Sequence, residues 1–322
     1  MRKVNKKLYV ILPVYNDFAS CLKIVKQIRE LKLEYILKFV IIDDASTEDA
    51  YSILNELNLS KSKRKSSTSD VSLIRLESNR GNAYSIWVGL NFVYAKVSSE
   101  DRVVVMDSDG EDNPNHIPLL VNRHQYGIPT VAKRGKRKNS RVFKVWHVVF
   151  KMAFKYLTNK AIDFGNFSVI DLIIMRRLFE NEKTVFKGYV GGLLATNSTI
   201  SRVELDRNER YFGQSKVNVE QLMKWGVMQA SPLVDDILSK IMKLSIKASL
   251  LLFVVAVLLM IIRILDIAVL PGWTSIMMSL LFLGSIQVIL FAGLFLAQFL
   301  ILDSIQIKVK QTSINVSKKT RE

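Results

Sequence analysis

Cysteine is almost absent. Cys21 is alone in 322 residues, which excludes a disulfide within the chain and fits a reducing compartment. It follows the first apolar run and reads as buried helix packing. Histidine is equally scarce: His116, His124 and His147 are scattered, form no zinc-ligand spacing and receive no catalytic assignment. Acid is in deficit, with 29 Asp and Glu against 46 Lys and Arg, a net charge of +17. Such a balance suits nucleic acid or an anionic membrane face. No helix-turn-helix pattern and no aromatic-basic repeat supports the first, so no nucleic-acid partner is expected. No leader is expected either. Arg2, Lys3, Lys6 and Lys7 precede an apolar run that is short, interrupted by Pro13 and followed by no small-residue cleavage site. The domain that begins here is expected to stay in the cytoplasm.

Short apolar runs alternate with helical patterns over the first 135 residues. LYVILPV (8–14), FVIID (39–43), SLIRL (72–76) and RVVVMD (102–107) read as strands. Residues 18–32 and about 83–97 carry apolar side chains at helical spacing, and Ser46-Thr47-Glu48-Asp49 looks like a capped helix start. This alternation predicts an α/β fold with a mostly parallel sheet, whose ligand sits beyond the C-terminal strand ends. Those ends carry Tyr15-Asn16-Asp17, Asp43-Asp44 and Asp107-Ser108-Asp109. Residues 60–70, polar and basic without apolar period, read as a solvated loop.

From Asn139 to Thr158 the pattern is amphipathic, with Val142, Val145, Trp146, Val149, Phe150, Ala153, Phe154 and Leu157 at helical spacing among Lys144, Lys151 and Lys155. A helix over about 140–158 serves either a membrane interface or a core face against the sheet. Beyond a juxtamembrane helix (231–247), residues 248–270 and 273–302 are the longest apolar stretches. The second carries no charge and exceeds the roughly 20 residues needed to cross a bilayer. Arg263 and Asp266 lie near the far end of the first, where they snorkel or pair; Pro271-Gly272 makes a turn and Trp273 an interfacial anchor. Lysines 240, 243 and 247 precede this hairpin, and a basic tail (303–322) follows it. The positive-inside rule then places both termini in the cytoplasm of a multi-pass protein.

Asp107 and Asp109 end a valine-rich strand, at a spacing that lets both carboxylates share a hard cation; Glu111 is a candidate third oxygen. Mg²⁺ or Mn²⁺ accepts such ligands and keeps positions open for a substrate diphosphate. Asp43-Asp44 is placed to accept hydrogen bonds from a base or ribose. Asn79-Arg80-Gly81-Asn82 suits close backbone approach at a helix start. The basic run Lys133, Arg134, Lys136, Arg137, Lys138 and Arg141 is either a solvated turn or a site for an acceptor phosphate.

Six pieces together resemble the family-2 glycosyltransferases of the GT-A type, in particular the dolichyl- and polyprenyl-phosphate sugar transferases. They are ILPVYND (11–17), VIIDDAST (40–47), NRGNAYSIWVGL (79–90), VVVMDSDGEDNP (103–114), VAKRGKRKNS (131–140) and RYFGQSK (210–216), spread over residues 1–230. The resemblance implies a GT-A catalytic domain there, joined to interfacial helices and a two-helix transmembrane anchor. It implies that Pro13, Tyr15, Asp17, Asp43, Asn79 and Asp107 meet a nucleotide-sugar, and that Asp107, Asp109 and Glu111 hold the metal. Arg134, Arg141, Arg210, Ser215 and Lys216 would face donor or acceptor phosphates, with Asp107, Asp109, Arg134 and Lys216 catalytic.

Where the family commonly has Asp-Phe-Arg after a glycine, this chain reads Gly165-Asn166-Phe167-Ser168, on the acceptor side of the site. Asp17 and Glu111 stand where glutamate and glutamine are usual, and both keep oxygen ligands. The expected reaction is inverting transfer of a hexose from a UDP- or GDP-sugar to undecaprenyl phosphate at the inner membrane of a bacterium. Transfer to a hydroxyl of a lipid-linked glycan, with Asp163 as base or merely a cap, is the alternative for surface polysaccharide assembly. A non-catalytic nucleotide-sugar-binding scaffold is the reading of another class; intact acidic motifs argue against it. Self-association is left open.

Overall fold

Strand β1 (Lys7–Val14) sits in the middle of the sheet because its residues are apolar on both faces. In the computed structural model, which describes residues 6–48, 70–134, 141–180, 188–212, 226–265, 272–273, 275–291 and 293–294, Leu8, Val10 and Leu12 point to one layer while Tyr9 and Ile11 point to the other. Around β1 lie β2 (Ile36–Asp43), β3 (Asp70–Arg75), β4 (Arg102–Val105), β5 (Thr130–Arg134), β6 (Phe164–Ile170) and β7 (Ser201–Leu205), in the order β3-β2-β1-β4-β6-β5-β7. β1 pairs in parallel with β2 and β4, β2 with β3, and β5 with β7. The mostly parallel expectation holds, with one correction. β6 runs antiparallel to both β4 and β5, which turns the sheet's direction immediately beside the acidic end of β4.

The first face is covered by α1 (Phe18–Glu30), through Phe18, Cys21, Ile24, Val25 and Ile28, and by α3 (Ile117–Arg123). The other face carries α2 (Asn82–Tyr94), α5 (Leu172–Glu180) and α6 (Tyr189–Ala195). Burial of each such Leu, Ile or Phe contributes about 1.5–3 kcal/mol, which is why the strand runs are nearly unbroken in apolar residues. Gly89 lets α2 lie close on the sheet: a Cβ there would stand 2.6 Å from the Ile11 side chain. Cys21 is fully buried, and burial pushes its thiol up to about 12, as expected of a packing residue.

The described side chains of helix α4 (Arg141–Thr158), from Val148 onward, divide its surface. Phe154 is buried and Phe150 packs beside it against the α2 side of the sheet. Val148, Val149, Met152 and Tyr156 are exposed. It is a core helix on one face and carries a solvent-facing apolar strip on another.

The chain divides into two compact units, Met1–Leu233 and Val234–Glu322. In the second, α7 (Val234–Ile264) exposes Leu250, Leu251, Phe253, Leu258 and Ile264. The stretch Gly226–Ile262 is long and apolar enough to cross a membrane, with a mean hydropathy of 2.7 in its most apolar window and none of that window buried. A shorter apolar helix, α8 (Ser275–Phe291), follows, and Leu252 reaches within 3.9 Å of a Cβ position at Gly284. Residues 295–322, Pro271, Asp266 and the side chain of Arg263 lie outside the described residues, and with them the far end of the second apolar stretch. The loop at 60–69 and the helix start beyond Glu48 lie outside them too.

Candidate active site

The chain leaves β4 through buried Met106 and turns at Asp107. The Ser108 hydroxyl donates to the Pro13 carbonyl at 2.6 Å and ties the turn to the end of β1. Asp107 N–H donates to Asp112 Oδ2 at 3.2 Å, and Glu111 N–H to Asp109 Oδ1 at 3.0 Å. Gly110 has φ +88°, and a Cβ there would meet the Tyr211 ring at 2.6 Å, so only glycine fits. The loop after β7 lies on this turn: Asn208 N–H donates to the Glu111 carbonyl and Tyr211 N–H to the Asp109 carbonyl, both at 3.0 Å. Tyr211 is itself held by its hydroxyl, which donates to Gln27 Oε1 at 2.7 Å, and by Lys23 over its ring.

The carboxylates are partnered by side chains from distant elements. Asp107 Oδ1 accepts from Asn82 Nδ2 and from Asn166 Nδ2, each at 2.9 Å. Asp109 Oδ2 pairs with Arg210 Nη2 at 3.1 Å. Burial, and then the charge of Asp107, hold the Asp109 carboxyl above the usual aspartate range; the Glu111 amide and Arg210 offset only part of this. Arg207 pairs with Glu111 and, at 3.4 Å, with Asp112. Burial disfavours the Arg207 charge, but Asp112 and Glu111 outweigh it and hold the guanidinium more firmly protonated than usual.

Glu111, the candidate third metal oxygen, is thus an ion-pair partner of Arg207. Among the described residues no group of three or more His, Cys, Asp or Glu converges to hold a metal. The carboxylates at this turn are those of Asp107 and Asp109, with Glu111 beside them and paired to Arg207. That set fits a small divalent cation taking its remaining ligands from water and a bound diphosphate, and Arg210 already brings a cation against Asp109.

The neighbouring strand end is built differently. Asp43 is fully buried, accepts from Ser46 N–H at 2.8 Å and faces Arg75 at 3.4 Å. Asp44 accepts from the N–H groups of Arg80 and Gly81 at 2.7 and 2.8 Å, shaping the turn into α2. Asn16, at φ +49°, accepts from Thr47 N–H at 2.8 Å while its own N–H donates to Ser46 Oγ at 2.9 Å. These bonds bring the ends of β1 and β2 together. Tyr15 is exposed there, Asp17 precedes α1 with no side-chain cap bond, and Asn79 is exposed on the turn before α2.

The other predicted groups separate. Lys133 pairs with Glu204, and Asp163, the alternative base, accepts from Arg202 Nε at 3.0 Å. Ser168 is fully buried and shares a hydrogen bond of 2.7 Å with Tyr189, itself buried with its phenol pushed far up by burial. Ser215, Lys216 and the side chains of Arg134 and Arg141 lie outside the described residues. The sequence reading overlooked Arg207, Asp112 and the side chain of Asn82. Asp112 and Asn82 were inside quoted motifs; Arg207 sits in a polar loop with no periodic or motif signal.

A model of the family described as Glycosyl transferase family 2 matches residues 9–182. The chain belongs to this family. The match ends beyond β6 and α5, so it includes both strand ends, the acidic turn and Asn166. Among curated relatives, undecaprenyl-phosphate 4-deoxy-4-formamido-L-arabinose transferase of Serratia proteamaculans (strain 568) is 25% identical over 228 residues, 68% of this chain and 65% of the relative. The enzyme of that name from Yersinia pestis (strain Pestoides F) is 24% identical over 226 residues, 68% of this chain and 64% of the relative. The chain thus matches just under two thirds of these relatives' length. Among solved structures, glucosyl-3-phosphoglycerate synthase from Mycobacterium tuberculosis, crystallised with Mn²⁺, UDP-glucose and phosphoglyceric acid, is 18% identical with a TM-score of 0.49 over 74% of this chain and 80% of that one.

Proposed function

We propose that the chain is a membrane-bound, metal-dependent, inverting glycosyltransferase that moves a hexose from a UDP- or GDP-sugar to a polyprenyl phosphate. The observation that carries the reading is the acidic turn: Asp107 and Asp109 stand together at the C-terminal end of a parallel strand, held by groups from β6, α2 and the loop after β7. Membership of the family supplies the reaction class. The names of the bacterial relatives supply the acceptor, undecaprenyl phosphate.

Each group then has a task. The exposed Tyr15 and Asn79, with Asp17 and the Asp43–Ser46 turn, border the space for the nucleotide. Asp107 and Asp109 would bind Mg²⁺ or Mn²⁺, which when bound neutralises the charge gathering on the leaving diphosphate. Arg210, at the same carboxylates, is positioned to stabilise that charge with its guanidinium. A phosphate acceptor arrives ionised and needs no general base, which agrees with Asp163 being engaged by Arg202. The apolar strip of α4 and the apolar helices α7 and α8 support work at a membrane surface, with the catalytic unit and both termini cytoplasmic by the lysine distribution.

The test is a panel of labelled nucleotide-sugars crossed with undecaprenyl phosphate and with a glycolipid acceptor, read by mass spectrometry of the lipid product. The expected product is a polyprenyl-phosphate hexose that disappears with Asp109→Ala. Product on the glycolipid alone would move the acceptor to a hydroxyl, and no Asp109-dependent product from any donor would overturn the reading.

A further inference from the structure

Two carboxylates stand side by side in the acidic turn, and the protein treats them in opposite ways. Asp109 has both oxygens engaged, Oδ1 by the Glu111 amide and Oδ2 by the Arg210 guanidinium. Among the described residues, the Asp107 carboxylate accepts two hydrogen bonds, both on one oxygen. Asn82, the first residue of α2, and Asn166, in the middle of β6, each direct Nδ2 to Oδ1 at 2.9 Å. Two donors fill the lone pairs of that oxygen. They also fix the rotation of the carboxylate plane, because they come from opposite sides in the chain and from rigid elements. Oδ2 is left to point away from both amides.

The chemistry of the donor matters as much as its position. An amide N–H orients a carboxylate without cancelling its charge, whereas a guanidinium does both. Asp107 is therefore oriented by donors that do not neutralise it, with one oxygen locked and one presented. A carboxylate at position 166, as the family resemblance would have it, would face Oδ1 with like charge and could not donate while ionised. The change to Asn166 converts a repulsive neighbour into a clamp. Ser168, the second changed position, makes no bond to Asp107: its hydroxyl lies 2.7 Å from that of buried Tyr189 and donates to the Asn166 carbonyl at 2.9 Å.

We propose that Asn82 and Asn166 are positioning residues that pre-set Asp107 as the fixed ligand of the donor-bound cation, with Asp109 the exchangeable one. The departure at 166 thereby acts on the donor side of the site rather than on the acceptor. This rests on the reading of Asp107 as a metal ligand, and the experiment separates the two. Binding of Mn²⁺ in the presence of UDP, and separately GDP, is measured by the electron paramagnetic resonance of free Mn²⁺ on the full chain in detergent. Thermal melting reports the fold.

Asn82→Ala and Asn166→Ala are each expected to weaken Mn²⁺ about three- to tenfold, the scale of one ordinary hydrogen bond. The double variant is expected to depart from additivity because both amides hold one oxygen. Thr158→Ala, which removes a buried hydroxyl bonded within α4, is expected to lower the melting temperature and leave Mn²⁺ affinity unchanged, which separates positioning from mere packing. Asn82 is exposed at a helix start, so its variant remains informative if Asn166→Ala fails to fold. Wild-type Mn²⁺ affinity in Asn82→Ala, with affinity lost in Asp107→Ala, overturns the proposal. Wild-type affinity in Asp107→Ala itself overturns the metal reading beneath it.

Discussion

Two acidic strand ends look alike in one dimension and differ in what holds them. At the end of β2, Asp44 is consumed by two backbone N–H groups, while Asp43 gives one oxygen to a third and turns the other toward Arg75. At the end of β4, Asp107 and Asp109 are met chiefly by the side chains of Asn82, Asn166 and Arg210. Backbone donors cannot leave without unmaking a turn, so Asp44 belongs to the architecture, whereas Asp43 keeps one oxygen outside the main chain's bonds. A side-chain donor can rotate away, so Arg210 can leave Asp109 to a ligand, and Asp107 keeps one oxygen outside the bonds of its two amides. Acidic residues at a strand end become a binding site when the fold has not already spent their oxygens on its own main chain.

The contrast is sharpest under alanine substitution. Asp109→Ala is expected to lower glycosyl transfer by roughly 10²–10³-fold or more, the scale of losing one preorganised charge partner, with melting little changed. Asp44→Ala is expected to do the reverse in kind. It leaves two turn N–H groups unpaired and should cost about 2–4 kcal/mol in denaturant unfolding. Equal effects of the two variants on stability would erase the distinction between the strand ends.

A third carboxylate extends the architectural class. Asp171 accepts from Gly127 N–H and Ile174 N–H and meets His124 Nε2 at 3.2 Å, with both side chains fully buried. Burial alone would raise its pKa, but the bonds from His124, Gly127 and Ile174 outweigh it and hold the carboxyl below its usual 3.8. A depressed folded value means the pair's stabilisation is present above about pH 4 and is lost as the pH falls below it. Asp171→Asn is expected to cost about 3 kcal/mol at pH 7 and to flatten the acid limb of a melting-temperature profile. An unchanged acid limb would remove Asp171 from this class.

Smaller effects probe the acidic turn. Gly110→Ala is expected to cost about 1–2 kcal/mol from the left-handed backbone alone, more if the Tyr211 ring cannot retreat, read by denaturant unfolding. Arg210→Ala should tighten Mn²⁺ measured without nucleotide by roughly fivefold, about 1 kcal/mol, because a competing cation leaves Asp109. Weaker Mn²⁺ binding in that variant would mean Arg210 supports the site instead of waiting in it.

Much of this was legible without coordinates because it is local. Alternating apolar runs announced the strands from Lys7–Val14 onward, and valines at 103–105 marked a buried strand with acid at its end. The antiparallel sense of β6 was not legible, since strand direction follows from how distant segments pair. Glu111 illustrates the same limit. Its spacing from Asp109 suited a third metal ligand, and only the loop after β7 brings Arg207 to it. Asn166 read as a loss on the acceptor side, yet its partner is Asp107, 59 positions away.

By itself the sequence determined the α/β periodicity, the placing of carboxylates at strand ends, and the long apolar stretches near the C-terminus. Each depends on spacing along a few turns or strands and on transfer of side chains out of water. The tertiary structure decided which of those carboxylates are spoken for. Hydrogen bonds and ion pairs act over about 3 Å, and the groups that supply them at Asp107 come from 25 and 59 residues away. Chain folding alone sets that proximity. The difference between an acidic turn that shapes the protein and one that is free to bind lies there.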